Sequence, residues 1–228
     1  MNSPQLTIVP TADGSNTIFN ARVGENYHSK HGALQESRHV FLNAGLARFL
    51  EIQDDPVNEV SVLEVGFGTG LNFLLSADHC VAKQISLNYT GIEGYPLSAE
   101  MIARTGYDSY VSKEVWEEFI NSYPEALVHP VILNANCQLQ IAKCELLSFQ
   151  SEQQYDIIYF DAFAAAYQPE MWDETAIGHA IKFLRPGGVF VTYAITGNLK
   201  RMLKAMGCKI EKVPGAPGKR EMLRAAKL

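Results

Sequence analysis

The sequence has no long apolar run. None of its hydrophobic stretches approaches the roughly 18 residues that a membrane-spanning helix needs. Residues 1–14 also lack the basic region followed by an apolar one that marks a secretory signal. We therefore expect a soluble, cytoplasmic protein with no membrane partner.

Cysteine is scarce and dispersed. The four cysteines are Cys80, Cys137, Cys144 and Cys208. Their spacing has neither the C-x-x-C pairs of a zinc site nor the density of a disulfide-stapled secreted domain. We expect reduced, mostly buried thiols. His28, His31 and His39 come with no nearby cysteine or carboxylate set, so no metal is expected.

Basic residues are outnumbered. The 19 Lys and Arg residues stand against 25 Asp and Glu residues, which gives a formal net charge of −6. On total charge alone this chain would not be chosen as a nucleic-acid binder. Its 228 residues, 47% of them hydrophobic, exclude disorder and can bury one sizeable core.

The chain begins with a short hairpin and a helix. Residues 5–9 and 16–19 have strand character and are separated by Asp13 and Gly14, a pair typical of hairpin turns. Apolar residues then recur at near-helical spacing over residues 32–51. We predict an N-terminal extension, residues 1–54, packed on a catalytic domain formed by residues 55–228.

The catalytic domain alternates between strands and helices. Compact apolar runs rich in Val, Ile and aromatic residues predict buried strands at 60–65, 85–92, 139–144, 155–160 and 188–193. Helical stretches lie between them, at 70–79, 97–105, 113–121, 173–184 and 196–206. This order predicts a largely parallel α/β sheet. The runs 208–213 and 220–226 have no helix between them and predict an antiparallel pair at its edge.

A glycine-rich turn follows the first strand of this domain. Residues 62–75 read VLEVGFGTGLNFLL, a buried strand that enters a turn and then a helix. Glycines let a ligand approach main-chain N–H groups closely, although dinucleotide-binding folds use a similar turn. The cofactor-binding candidates in this segment are Gly66, Phe67, Gly68, Thr69, Gly70 and Asn72.

Three acidic residues at strand ends narrow the choice of cofactor. Glu64 would repel a pyrophosphate but would suit the ammonium group of S-adenosylmethionine. Glu93 ends the second strand, where a carboxylate accepts hydrogen bonds from ribose hydroxyls. Asp161 ends the strand 155–160, at the edge where open α/β sheets bind ligands. It is a candidate base or amine anchor, since Asp173 is the better N-cap for the next helix.

These motifs resemble one known family. Segments 64–74, 93–97, 161–164 with 169–172, 219–223 and the helix 32–42 are similar to the methyltransferase domain of the tRNA 5-methylaminomethyl-2-thiouridine biosynthesis enzymes, in a single-domain form. The resemblance implies a class I, Rossmann-like methyltransferase with a mostly parallel seven-stranded sheet and an antiparallel last strand. It also implies S-adenosylmethionine as cofactor and tRNA as partner.

The implied reaction is N-methylation of 5-aminomethyl-(2-thio)uridine at tRNA wobble position 34. Larger members carry an FAD-dependent oxidase domain, for which this chain is too short, so no FAD is expected. Asp161 would be the catalytic residue and would also contact the cofactor. We expect substrate or tRNA contacts at Phe163, Ala164, Ala165, Lys219 and Arg220, and also at Tyr27 and Lys30, which could reach the mouth of the active site. Gln35 and Glu36 also lie in a matched motif and are candidates to touch the cofactor or the target base.

One departure from the family pattern keeps a reading without activity open, and the shared fold and acidic loop leave other enzymes open. Ala165 stands where the family usually has proline, which should loosen the loop beside the target amine. The alternatives are a small-molecule amine N-methyltransferase, an aminopropyltransferase, and a tRNA-binding relative without activity. An NAD-dependent oxidoreductase fits Glu64 poorly.

The charge is strongly polarised along the chain. Of the 25 acidic residues 23 precede Ile181, whereas 11 of the 19 basic residues follow it. The C-terminal basic region comprises Lys200, Arg201, Lys204, Lys209, Lys212, Lys219, Arg220, Arg224 and Lys227. It predicts salt-sensitive contacts with tRNA phosphates, with a merely solvated basic face as the alternative.

Overall fold

The computed structural model describes residues 6–228. It confirms the N-terminal hairpin: β1 (Leu6–Pro10) pairs antiparallel with β2 (Asn16–Asn20). Gln5, the first residue of the predicted hairpin, lies outside the described residues. A two-residue strand, β3 (Glu25–Asn26), extends the pair to a three-stranded sheet. This third strand was not predicted, because two residues carry no periodic signal.

The predicted N-terminal helix is present but has an unexpected winding. It runs as α1 (Ala33–Glu36), an eleven-residue π-helical stretch (Ser37–Ala47) and α2 (Arg48–Glu51). Gly45 lets this helix approach the main sheet closely, since a Cβ there would lie 2.8 Å from the Tyr159 ring. The apolar spacing predicted a helix but could not distinguish α from π winding.

Within residues 6–228 the main sheet has eight strands. They are β4 (Glu59–Val65), β5 (Ser86–Ile92), β6 (Val131–Asn134), β7 (Cys137–Ala142), β8 (Tyr155–Phe160), β9 (Leu184–Thr192), β10 (Cys208–Pro214) and β11 (Glu221–Lys227). Their spatial order is β10-β11-β9-β8-β4-β5-β7-β6. The five central strands are parallel, and β11 is antiparallel to both β9 and β10. The antiparallel C-terminal pair is therefore confirmed.

The prediction of seven strands is wrong by one. The eighth strand, β6, pairs antiparallel with β7 at the edge of the sheet. It is four residues long, and its Ile132 is 77% exposed, so it lacks the buried apolar run that identifies the other strands. In addition, β9 starts earlier than predicted, because the turn after Leu184 forms an irregularity within the strand.

Five further helices cover the two faces of the sheet. They are α3 (Leu71–Lys83), α4 (Ala99–Ala103), α5 (Lys113–Ala126), α6 (Glu174–Lys182) and α7 (Gly197–Ala205). Alternate residues of the central strands belong to two apolar clusters: Val62 and Tyr159 to one, Leu63 and Phe160 to the other. The strands are thus buried on both faces, as the apolar runs predicted.

The N-terminal segments share their apolar cluster with the sheet. Ile18, Val40 and Phe41 lie in the same cluster as Tyr159. The boundary between residues 54 and 55 stays a prediction. All four cysteines are free and three are buried, which confirms that prediction. Within residues 6–228, no helix combines the length and the apolar character that crossing a membrane requires.

Candidate active site

The glycine-rich turn brings three strand ends together. Gly66, Gly68 and Gly70 have φ values of 86°, 54° and 77°, a region that side chains disfavour. The Gly66 N–H donates to the carbonyl of Ile92 at the end of β5 (3.0 Å). A Cβ on Gly66 would lie 2.5 Å from the carbonyl oxygen of Asp161, just beyond β8. Only glycine therefore allows β4, β5 and β8 to end at one point.

A single amide joins two of the predicted carboxylates. The Asn72 side chain, at the start of α3, donates from Nδ2 to Glu64 Oε1 and to Asp161 Oδ2, both at 2.8 Å. Tyr89 donates its hydroxyl to the other oxygen of Glu64 (2.8 Å). Glu64 is 1% exposed, whereas Asp161 is half-buried. Asn72 thus fixes both carboxylates at the edge of the sheet.

This environment disfavours negative charge on both acids. Burial raises the pKa of Glu64 well above its usual value, and the neighbouring Asp161 raises it further. Burial, followed by the charge of Glu36, raises the pKa of Asp161 to about 8, against the opposing effects of Asn72 and Lys219. A bound cation would lower the pKa of both acids, because it stabilises the ionised carboxylates.

Glu93 lies beside the turn, as predicted. Its Oε2 accepts the Gly68 N–H (2.9 Å) and its Oε1 accepts the Tyr95 N–H (2.9 Å). The carboxylate is half-buried at the end of β5 and within reach of the glycine turn. This is the geometry expected of a group that can bond ribose hydroxyls.

Four tethers hold the loop that follows Asp161. The Ala164 N–H donates to Glu25 Oε2 (2.9 Å), and Tyr193 donates its hydroxyl to the carbonyl of Ala162 (2.8 Å). The Trp172 indole donates to the carbonyl of Phe163 (2.7 Å). The fourth tether is aromatic: the Phe163 ring meets the Tyr27 ring edge-to-face at 5.1 Å. The loop is therefore anchored to the N-terminal segment and to the residue that follows β9.

Replacing Ala165 by proline should preserve or raise activity. The carbonyl of Ala164 accepts the Tyr167 N–H (2.8 Å), which places the exposed Ala165 at the second position of a turn, where proline is favoured. We expect Ala165→Pro to keep or raise turnover and to stabilise the fold by about 0.4–1 kcal/mol. Steady-state methylation and urea unfolding measure the two effects.

Ala166→Pro is the matched control. It puts the same ring at the third position of the turn, where proline is disfavoured, and should lower stability. A collapse of turnover in Ala165→Pro at unchanged stability would refute this account of the loop.

Other predicted residues lie away from the open side of the turn. The Phe67 ring is buried against Gly91 and packs on Phe73 and Phe119, and Thr69 is 1% exposed beside His28. Their side chains support the turn from within. Lys30 and Arg220 are exposed.

Two further acids, Glu25 and Glu36, complete the site. Glu25, on β3, holds the Asp161 loop as described above. Glu36, on α1, is 6% exposed and accepts the Lys219 ammonium at 2.8 Å. The predicted tRNA contact Lys219 therefore points inward. Glu25 gave no sequence signal, while the family resemblance had singled out Glu36.

The residues present fit S-adenosylmethionine. The glycine turn offers backbone without side chains, and Glu93 can meet a ribose. Glu64 and Asp161 suit a cationic ammonium group. Asn72 Oδ1 is buried and accepts no hydrogen bond from the described residues, so it can receive a further donor. Among residues 6–228, no His, Cys, Asp and Glu side chains form a group able to hold a metal ion.

Comparison with known proteins identifies the family. A family described as S-adenosyl-L-methionine-dependent methyltransferase matches residues 110–228, more than half of the chain. The tRNA 5-methylaminomethyl-2-thiouridine biosynthesis bifunctional protein MnmC of Methylobacillus flagellatus is 31% identical over 223 residues, which cover 90% of this chain and 33% of that protein. The protein of the same name from Marinobacter nauticus is 31% identical over 216 residues, covering 89% of this chain and 34% of that protein.

The chain spans about a third of the length of these curated relatives. The crystal structure of MNMC2 from Aquifex aeolicus matches with a TM-score of 0.76 and 21% identity, over 99% of this chain and 71% of that chain. At this identity the match shows a common fold. On the family match, the chain belongs to the S-adenosyl-L-methionine-dependent methyltransferases, with S-adenosyl-L-methionine as its methyl donor.

Proposed function

We propose that the chain methylates the primary amine of 5-aminomethyl-(2-thio)uridine at tRNA wobble position 34, giving 5-methylaminomethyl-(2-thio)uridine. The observation that carries the proposal is the group of carboxylates around Asp161, which suits an amine acceptor. The names of the curated relatives supply the nucleoside and the tRNA. The reaction then takes place in the cytoplasm, where tRNA is used.

We assign to Asp161 the role of accepting the proton of the acceptor amine. An aliphatic amine has a pKa of roughly 10, as lysine has, so near neutral pH it carries a proton and lacks the lone pair that must attack. Bound S-adenosyl-L-methionine supplies a methyl group activated by the sulfonium. Asp161, with a pKa of about 8, would orient the ammonium group and accept its proton first. The lone pair so freed would then form the N–C bond as the C–S bond breaks, which leaves the N-methylammonium product and S-adenosylhomocysteine.

The cofactor contacts are assigned by position. The main chain at Gly66, Gly68 and Gly70 would lie against the methionine and ribose moieties, and Glu93 would bond the ribose hydroxyls. Glu64 and Asn72 would hold the ammonium end of the cofactor together with Asp161. These assignments are part of the proposal.

Fewer basic side chains are available to contact tRNA than the sequence count suggests. Arg224 donates to Glu211 at 2.7 Å, Lys227 donates to the carbonyl of Ile181 at 3.0 Å, and Lys219 is bound to Glu36. The remaining cations are on α7, on β10 and at the start of β11. We assign phosphate contacts to the exposed members of this set: Arg201, Lys204, Lys209, Lys212 and Arg220.

Removing two of these cations should weaken tRNA binding and its salt dependence together. Each phosphate contact adds about one to the slope of log affinity against log salt. We expect the double variant Arg201→Gln, Lys204→Gln to lower that slope by about two, as measured by filter binding between low and moderate salt. Lys83→Gln, at the end of α3, is the control and should bind as the wild type. An unchanged slope in the double variant would remove α7 from the interface.

The function is tested on tRNA that lacks the modification. Radiolabelled S-adenosyl-L-methionine should transfer its methyl group to such tRNA, and nucleoside mass spectrometry should identify 5-methylaminomethyl-uridine species. Cells without this protein should accumulate 5-aminomethyl-uridine species. If the enzyme methylated small amines and never this tRNA, the small-molecule alternative would replace the proposal.

A further inference from the structure

An open cavity lies next to the Asp161 loop. Its volume is about 380 Å³, and its walls come from the segment after β9 and from the start of β11. The lining residues are Tyr193, Ala194, Ile195, Lys219, Arg220 and Glu221. Because the Tyr193 hydroxyl bonds the carbonyl of Ala162, this cavity adjoins the loop that holds Asp161.

Lys219 connects the cavity to the buried acids. Its side chain lines the cavity, while its ammonium contacts Glu36 Oε1 at 2.8 Å and lies 3.8 Å from the centroid of the Tyr193 ring. A carboxylate and an aromatic face are the two groups that recognise an alkylammonium ion. Glu36 is also fixed by the Ser29 N–H at 2.8 Å, so its carboxylate is held ready for a cation.

The acids around this point outnumber the cation. Besides burial, the charge of Glu36 raises the pKa of both Glu25 and Asp161, and the Lys219 charge opposes this effect at both carboxyls. One lysine leaves an excess of carboxylate. The site therefore suits positively charged ligands, and the lysine already shows one alkylammonium bound there.

We propose that this cavity receives the base of the acceptor nucleotide, whose protonated aminomethyl group takes the place of the Lys219 ammonium against Glu36 and the Tyr193 ring. The inference rests on the proposed function and adds the acceptor pocket to it. Lys219 is then an internal competitor that fills the amine position until the substrate arrives. Exposed Arg220, on the rim, is placed to meet the phosphate of the incoming nucleotide.

Binding of a nucleoside measures the competition directly. The probe is 5-aminomethyluridine, titrated calorimetrically into the full chain saturated with S-adenosylhomocysteine, and 5-hydroxymethyluridine is its neutral counterpart. Lys219→Gln should bind the amine about 5–10-fold more tightly, a gain of about 1.0–1.4 kcal/mol, because the competitor is gone. Its affinity for the hydroxymethyl compound should not change. Lys182→Gln, at the end of α6, is the matched control.

Two further measurements make the result decisive. Glu36→Gln should weaken binding of the amine at least 10-fold while leaving the hydroxymethyl compound unaffected. Because this change also alters a buried contact, the wild type provides an independent readout: the amine nucleoside should raise the acetylation rate of Lys219, read by mass spectrometry, and leave that of Lys182 constant.

The possible failures are distinguishable. Equal or weaker amine binding by Lys219→Gln, or unchanged acetylation of Lys219 in wild type with the nucleoside bound, would overturn the inference. An alternative outcome is that Lys219→Gln leaves nucleoside binding unchanged but lowers the tRNA affinity and the slope of log affinity against log salt. That result would mean that Lys219 contacts a tRNA phosphate. If wild type still methylated tRNA that carries 5-aminomethyluridine, the proposed function would survive. If the wild type bound neither nucleoside and methylated no such tRNA, the inference and the proposed function would both be refuted.

Discussion

Replacing Asp161 by asparagine should slow methyl transfer by about 10²–10⁴-fold, the range typical of a lost proton acceptor. Asparagine keeps the size of the side chain and one oxygen able to accept from Asn72, so the loop should stay in place. What it loses is the group that takes the proton from the attacking amine. Single-turnover assays with saturating S-adenosyl-L-methionine measure the chemical step separately from cofactor binding.

The pH dependence gives this prediction a second readout. The pKa of Asp161 is raised to about 8, so its carboxylate form increases as pH rises through that value. In the wild type, kcat/KM for S-adenosyl-L-methionine, which reports the free enzyme, should therefore climb between about pH 7 and pH 9. Asp161→Asn should lose this limb and retain only the rise at higher pH that comes from the amine itself.

Asp156→Asn is the matched control for Asp161. Asp156 is on the same strand, β8, but at its opposite end, where it bonds Ser61 and Arg185 far along the strand from the glycine turn. This substitution should lower stability and leave the pH profile of catalysis unchanged. Asp161→Asn with more than a tenth of the wild-type rate would exclude Asp161 as the proton acceptor.

The sequence predicted the elements that have a local signal. Buried runs such as residues 155–160 identify central strands because both faces are apolar, and the glycine turn identifies the ligand edge of the sheet. The edge strand β6 was missed because Ile132 faces solvent and the run is short. The π winding of residues 37–47 has no local signal either, and the close packing of Gly45 in that stretch on Tyr159 is a tertiary contact that no local pattern encodes.

The site was predictable where it follows strand ends and unpredictable where it joins distant segments. Glu64, Glu93 and Asp161 each end a buried strand, so topology alone brings them together. Glu25 reaches the Ala164 N–H across 139 positions of the chain, and Lys219 reaches Glu36 across 183. Such pairings depend on the tertiary fold. Counting charges also assigned Lys219 to the surface, because a count contains no information about partners.

The second large effect is expected for a substitution at Gly66, in the glycine-rich turn. Gly66→Ala must adopt a positive φ and must also place its Cβ 2.5 Å from the main-chain oxygen of Asp161. The left-handed backbone costs about 1–2 kcal/mol, and overpacking against fixed atoms adds about 1–3 kcal/mol. We expect the free energy of unfolding to fall by about 2–5 kcal/mol in urea titrations. Cofactor affinity should fall as well, because the added Cβ would displace the main chain at Asp161.

The variant Gly187→Ala separates the cost of the left-handed backbone from the cost of overpacking. Gly187 has a φ of 75°, close to that of Gly66, but a Cβ there meets nothing within 4 Å. It should therefore lose only the backbone contribution of about 1–2 kcal/mol and bind the cofactor as the wild type does. Equal losses in the two variants would mean that the chain can move Asp161 away from the turn at no cost. The close contact between the ends of β4 and β8 would then not be what positions the Asp161 carboxylate, and its alignment would depend on the Asn72 bridge alone.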